Sequence, residues 1–229
     1  MNAVQAIENM YHGDLMSFRK YRAYKPGEFY VVGADTAWGG TDYCTAQFLS
    51  KTYLDVPVVY HSKVLASEMT PLLHLELEKI YDQTKVKPVI CMERNNGGIA
   101  ELERLVSLNR NQKYRIYIEK TGAATLDGEN VGSKYGWTTS SASRPTMLQM
   151  LKECIDNKLI TLYDTPTINE MFSFIVSQTA SSWKAQAEQG AHDDLIMALA
   201  IAWQLYQTEN PPIKKERTRQ RPPKVKFHV

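Results

Sequence analysis

Four carboxylates in this chain stand where sequence patterns change. They are Asp35 in GADTAWGGTDY, Glu93 in ICMERNNGG, and the adjacent pair Asp193 and Asp194 in GAHDDLIMALAIAW. Carboxylates gathered within a few ångströms repel one another and resist ionisation unless positive charge sits among them. A divalent cation is the economical source of that charge. Ligation by oxygen alone favours hard ions such as Mg²⁺ or Mn²⁺, and two ions about 3.5–4 Å apart suit hydrolysis of a phosphodiester. Asp35, Glu93, Asp193 and Asp194 are therefore candidate metal ligands and catalytic residues. His192 is a candidate neighbour that handles a proton. Plainer readings exist for each. Asp193 suits a helix cap and Asp194 a helix dipole, Asp35 a turn at a strand end, and Glu93 a surface charge. His192 can simply begin a helix, Asn95 and Asn96 suit a turn, and Gly97-Gly98 suit helix entry.

The elements that would position these side chains favour the chemical reading. FYVVGA (29–34), YCTAQFLS (43–50) and VPVVYHSKV (56–64) are short runs rich in β-branched and aromatic residues, each bounded by turn formers. Three strands in close succession suggest an antiparallel meander. A helical pattern follows from about Thr70 to Lys85, then a strand at KPVICME (87–93), a helix from about Gly98 to Leu108 and a strand at YRIYIE (114–119). That alternation implies parallel pairing with right-handed crossovers. Side chains just past the carboxyl ends of adjacent parallel strands converge on one crevice. If the first and fourth of these strands are neighbours, Asp35 and Glu93 meet, and a last helix over 191–207 can bring Asp193 and Asp194 to them.

Residues 121–143 are too rich in Gly, Ser, Thr and Asn, and too long, for a simple connection, so they are read as a functional loop or excursion hairpin. RPTMLQMLKECIDNK (144–158) reads as a helix and LITLYD as a short strand. TPTINEMFSFIV fits helix or strand equally well. Residues 1–25 read as a linker segment ended by Pro26-Gly27, residues 26–210 as one domain, and 211–229 as a basic, Pro-containing tail.

The chain has 229 residues and a formal net charge of only +2. The tail from Pro211 carries seven Lys/Arg against one Glu, a net +6, which leaves the rest of the chain at −4. An acidic body with a basic periphery suits a protein that gathers carboxylates at one site and approaches a polyanion from its edge, although such a tail can also serve only solubility. Three scattered cysteines offer neither a disulfide framework nor a zinc site, and are expected to be core thiols. No apolar run reaches the ~18 residues that a membrane span requires.

Taken together, GADTAWGGTDYCTAQF, ICMERNNGG, YGWTTSSASRPTMLQMLKECI and GAHDDLIMALAIA, in that order, resemble the C-terminal nuclease domain of viral and phage large terminase subunits. The resemblance runs from about Glu28 to Gln207. It implies an α/β, RNase H-like fold related to RuvC-type resolvases: a mixed sheet, antiparallel then parallel, with helices on both faces and an excursion β-hairpin. It also implies two metal ions held by Asp35, Glu93 and the His192-Asp193-Asp194 run. The match does not single out one aspartate of that pair as direct ligand, and Asp194 is favoured because Asp193 is better placed to cap. The implied function is endonucleolytic cutting of concatemeric DNA during genome packaging. The implied partners are double-stranded DNA, a terminase ATPase domain, a small terminase subunit and a portal, in the host cytoplasm.

The chain departs from full-length terminases in lacking a GxxxxGK[ST] phosphate loop. It is therefore expected to be an isolated nuclease domain or a split-gene product, with the motor elsewhere. Cutting without sequence preference depends on phosphate contacts, for which Arg94, Lys120, Lys134 and Arg144 are the candidates. Residues 121–137 are expected to gate DNA access, with Trp137 and Tyr135 anchoring that loop rather than stacking on bases. Other readings are a junction resolvase of the same fold, a non-catalytic DNA-binding domain, and a kinase-like phosphotransferase built on DTAWGGTDY. The last leaves Glu93 and the HDD run without a role.

Overall fold

The computed structural model describes residues 17–37, 42–120, 133–179, 182–187 and 192–211. The basic tail beyond Pro211 and the tip of the 121–132 excursion lie outside the described residues.

The main sheet contains β1 (Phe18–Lys20), β2 (Tyr30–Asp35), β3 (Cys44–Ser50), β4 (Asp55–Ser62), β5 (Val89–Met92) and β6 (Arg115–Ile116). Their order across the sheet is β1-β4-β3-β2-β5-β6. β2, β3 and β4 form the expected antiparallel meander, while β2, β5 and β6 run parallel. β1 and the short β9 (Thr161–Leu162) share the outer edge of β4. The sheet therefore starts before Pro26-Gly27: Phe18–Lys20, placed by the sequence in the leading linker, pairs with Val58–Tyr60. Three residues are too short a run to announce a strand by alternation.

Helices cover both faces because side chains along a strand alternate. On one face Tyr30, Val32, Ala34, Phe48, Val58 and Tyr60 pack against α1 (Ala66–Thr84) and α2 (Gly98–Leu108). On the other, Val31, Leu49, Val59, Val89 and Cys91 pack against α3 (Ser143–Asp156) and α5 (Asp194–Thr208). The three cysteines are free and buried. Residues Leu195–Trp203 are buried on every side of α5, as befits a helix enclosed by sheet and helices. α5 lies directly on β2 because position 33 is glycine: a Cβ there would fall 2.1 Å from the Ala198 carbonyl oxygen.

Several elements differ from the sequence expectation. α1 begins at Ala66, four residues early, and encloses Pro71. The carbonyl of Ser67, freed by the missing N–H, accepts a contact from the Arg104 guanidinium at 3.4 Å. The run YRIYIE divides at Tyr117: β6 stays in the main sheet, and β7 (Ile118–Lys120) leaves to pair with β8 (Ser133–Tyr135). This antiparallel pair is the stem of the excursion hairpin. The ambiguous TPTINEMFSFIV is both things in turn, α4 (Thr165–Ser173) followed by β10 (Phe174–Thr179), which pairs with β11 (Ser182–Ala187). The last helix starts at Asp194, leaving His192 and Asp193 in front of it.

Candidate metal centre

Asp35 is the last residue of β2, and the chain leaving β5 runs beside it, with the Glu93 N–H donating to the Ala34 carbonyl at 2.9 Å. The two carboxylates thus sit at the carboxyl ends of adjacent parallel strands. Both are buried, and Asp35 Oδ1 has no hydrogen-bond partner. Burial, then the hydrogen bond and charge of Glu93, then the charges of Asp194 and Asp193, push the Asp35 carboxyl well above its ordinary range. Gly98 closes the turn after Glu93, since a Cβ there would lie 1.7 Å from the Glu93 carbonyl oxygen. Thr36 Oγ1 donates to the carbonyls of Asn95 and Asn96 and fixes the same turn.

The start of α5 is pinned to β3. Thr45 Oγ1 donates to the Asp194 carbonyl at 2.8 Å, and Gln47 Nε2 reaches the Leu195 carbonyl and Thr167 Oγ1. The Tyr43 N–H donates to Asp194 Oδ2 at 3.1 Å. Burial raises the Asp194 carboxyl, as do the charges of Asp193 and Asp42, while the Tyr43 N–H and His192 pull the other way. His192 Nδ1 lies 3.7 Å from Asp194 Oδ2, and its ring meets Tyr43 edge-on. Asp193 occupies the cap position, yet its side chain makes no capping bond. It forms an ion pair with Arg144 instead.

All five expected site residues, Asp35, Glu93, His192, Asp193 and Asp194, line one cleft of about 470 Å³. Asp42, Asn95, Asn96, Thr139, Arg144 and Met197 complete its walls. Of the three expected DNA contacts whose side chains are described, Arg94, Lys134 and Arg144, only Arg144 borders it. The Arg94 guanidinium donates to the Tyr135 carbonyl at 2.6 Å, tying down the hairpin stem, and Lys134 is exposed on β8. The Lys120 side chain lies outside the described residues. Trp137 anchors the returning chain, its N–H donating to the Met92 carbonyl and its own carbonyl accepting from the Arg94 N–H.

Three residues of the site escaped the sequence reading. Asn95, read as a turn former, donates from Nδ2 to Glu93 Oε1 at 3.1 Å. Asp42 adds a fifth carboxylate; its place in the sequence two residues after the Gly39-Gly40 pair was the available signal. Glu170 carries no local signal. It accepts from the Ile196 N–H at 2.8 Å, and burial with the charges of Asp194 and Asp193 pushes it up to about 8.

Among the described residues, no group of three His, Cys, Asp or Glu side chains is drawn tightly enough to hold an ion as it stands. The donor set nevertheless fits a hard cation. It is all oxygen except for one histidine, it is crowded with like charge, and it contains the orphaned Asp35 Oδ1.

The strand order and the two-faced helical cover define an RNase H-like fold. Solved structures sharing it include large terminase nuclease domains. The domain from Thermus phage P74-26 superposes with a TM-score of 0.58 at 17% identity, covering 85% of this chain and 88% of its own. The large terminase nuclease of thermophilic phage G20c with bound magnesium gives 0.58 at 16%, covering 84% and 87%. The manganese-soaked human cytomegalovirus terminase nuclease domain gives 0.50 at 13%, covering 89% and 92%. No protein-family model matches the sequence, and no curated protein matches it. Likeness at these identities establishes the fold.

Proposed function

We propose that this chain is a divalent-metal-dependent endonuclease that cuts double-stranded DNA during viral genome packaging. The observation that carries this reading is Asp35. It is a buried carboxylate with an unpartnered oxygen, placed against Glu93 and facing Asp193 and Asp194 across a cleft. Such an arrangement is costly unless a cation completes it. The fold shared with terminase nuclease domains supports the same reading.

Asp35 and Asp194 are the residues that would hold one Mg²⁺ or Mn²⁺, with Glu93 on a second, and Asp193 is an accessory ligand. Bound there, the ions would supply Lewis-acid stabilisation of charge on the scissile phosphate and ease deprotonation of a water. Asn95 fixes the Glu93 carboxylate by donating to Oε1. The Tyr43 N–H fixes Asp194 in the same way. His192, partly exposed at the mouth, can take a proton from the cleft and release it to solvent. The Arg144 guanidinium, on the wall of the same cleft, would meet a phosphate oxygen.

The partners this implies are double-stranded DNA and, in the host cytoplasm, a terminase ATPase domain, a small terminase subunit and a portal. The hairpin built on β7 and β8 would gate DNA access. The test is nicking and linearisation of supercoiled plasmid in Mg²⁺, Mn²⁺ or EDTA by wild type, Asp35→Asn, Glu93→Gln, Asp193→Asn and Asp194→Asn. Cutting that needs metal and is lost with Asp35, Glu93 and Asp194 is expected. A folded protein that never cuts, or variants that cut as well as wild type, would refute the proposal.

A further inference from the structure

Among the described residues lining the cleft there are five carboxylates, Asp35, Asp42, Glu93, Asp193 and Asp194, and one permanently charged cation, Arg144. That cation arrives on a rigid mount. It sits in the first turn of α3, where the Ser143 N–H donates to Ser140 Oγ at 3.0 Å and the Ser140 N–H to Ser143 Oγ at 2.9 Å. The Arg144 N–H itself donates to the Ser140 carbonyl. The side chain reaches from this mount to Asp193.

The two adjacent aspartates are held by different means. Asp194 accepts from a backbone N–H, a fixed donor. Asp193 is excused from capping α5 because Glu170 takes the Ile196 N–H, and its described partner is the Arg144 guanidinium. Arg144 and Asp193 side chains are 34% and 25% exposed. An ion pair with that access to water is weakly held and exchangeable. The planar guanidinium fork, moreover, fits a phosphate as well as it fits a carboxylate.

We propose that Arg144 is a tethered counter-ion that competes with a divalent cation for Asp193, and that its guanidinium, once displaced, engages a DNA phosphate. Metal loading and grip on DNA are thereby coupled through one side chain. The inference rests on the metal-nuclease reading above and assigns Asp193 and Arg144 roles within it.

The experiment is calorimetric titration of Mn²⁺ into the full chain as wild type, Arg144→Gln, Asp35→Asn, Asp193→Asn and the Arg144→Gln/Asp193→Asn double variant, with thermal melts as a check on folding. Arg144→Gln should bind Mn²⁺ more tightly, by up to about fivefold, the scale of exchanging one partly exposed ion pair. The gain should vanish when Asp193→Asn is the background. Duplex DNA binding in Ca²⁺ should weaken in Arg144→Gln, with a salt slope shallower by about one. Equal or weaker Mn²⁺ binding by folded Arg144→Gln overturns the counter-ion role, and if Asp35→Asn still abolishes binding the metal site itself stands. If wild type binds no Mn²⁺, the nuclease reading and this inference fall together. Should Arg144→Gln fail to fold, the Asp193→Asn background decides: adding Arg144→Gln there must leave Mn²⁺ affinity unchanged, and a change overturns the proposal.

Discussion

Glu170 on α4 accepts a hydrogen bond from the Ile196 N–H at 2.8 Å, so the first turn of α5 is capped from a neighbouring helix and not by Asp193, which holds the cap position. This relationship explains why α5 can open with two carboxylates that both turn to the cleft. Removing the acceptor with Glu170→Ala should cost about 1 kcal/mol, the typical value of a lost cap. Because the carboxylates ride on that turn, cutting should also fall by about 10–100-fold, the usual cost of losing a residue that orients ligands. Glu170→Gln, which keeps an acceptor and carries no charge, should impair cutting less and, because the Glu170 carboxyl is held up at about 8, should not melt below wild type at neutral pH. Thermal melts and plasmid nicking by the two variants check this.

Function and stability should oppose each other at Asp35. Burial and the neighbouring carboxylates raise its folded pKa, so its stabilising contribution is complete below the ordinary value of 3.8 and is lost as pH rises through the raised folded value. At neutral pH in EDTA that contribution is lost, and the buried carboxyl destabilises the fold. Asp35→Asn should melt higher than wild type under those conditions while losing metal-dependent cutting, as expected of a site that stores unfavourable charge. A lower melting temperature would contradict the electrostatic account.

Gly33 sets the distance between β2 and α5. A methyl group there would lie 2.1 Å from the Ala198 carbonyl oxygen and 2.3 Å from the Ala202 nitrogen, both backbone atoms that cannot rotate away. Gly33→Ala should cost about 3 kcal/mol, at the upper end of overpacking penalties. It should also impair cutting, because α5 carries Asp194. Urea midpoints and nicking rates measure the two effects, and a neutral substitution would mean that α5 does not seat on β2 at this distance.

His61 should make the fold sensitive to acid. Burial, then the positive charge of Arg19, push its pKa down from 6.5 to about 4, with Asp164 opposing and His192 adding to the fall. The folded state thus resists a proton that the unfolded chain accepts. Its contribution to stability is complete above about pH 6.5 and declines as pH falls toward about 4. The drop in melting temperature between pH 7.5 and pH 5 should be smaller in His61→Asn than in wild type. Equal drops would show that other groups control this window.

Local patterns carried much of the architecture. The β-branched runs at 29–34 and 43–50 are strands within a residue or two, and Gly98–Leu108 is the helix its periodicity implied. Asp35 and Glu93 could be singled out because each ends a strand, and strand ends are visible as changes of residue type. The division of YRIYIE at Tyr117 was not visible, because it depends on how much of β5 is left for a neighbour to pair with. The edge is shared in turn by Arg115–Ile116 and Trp137.

By itself the sequence determined the succession β2, β3, β4, α1, β5, α2 and the helices α3 and α5, the burial of α5 and which carboxylates fall at element ends, since these follow from residue type and spacing along the chain. Only the tertiary structure decided that Asp193 pairs with Arg144, that Asn95 holds Glu93, that Asp42 joins the wall and that Glu170 caps α5. The physical reason is that hydrogen bonds and ion pairs are short-ranged and directional. Glu170 and Ile196 are 26 residues apart and Arg144 and Asp193 49, so their partners are chosen by how the sheet folds the chain back, and nothing in the local pattern can specify it.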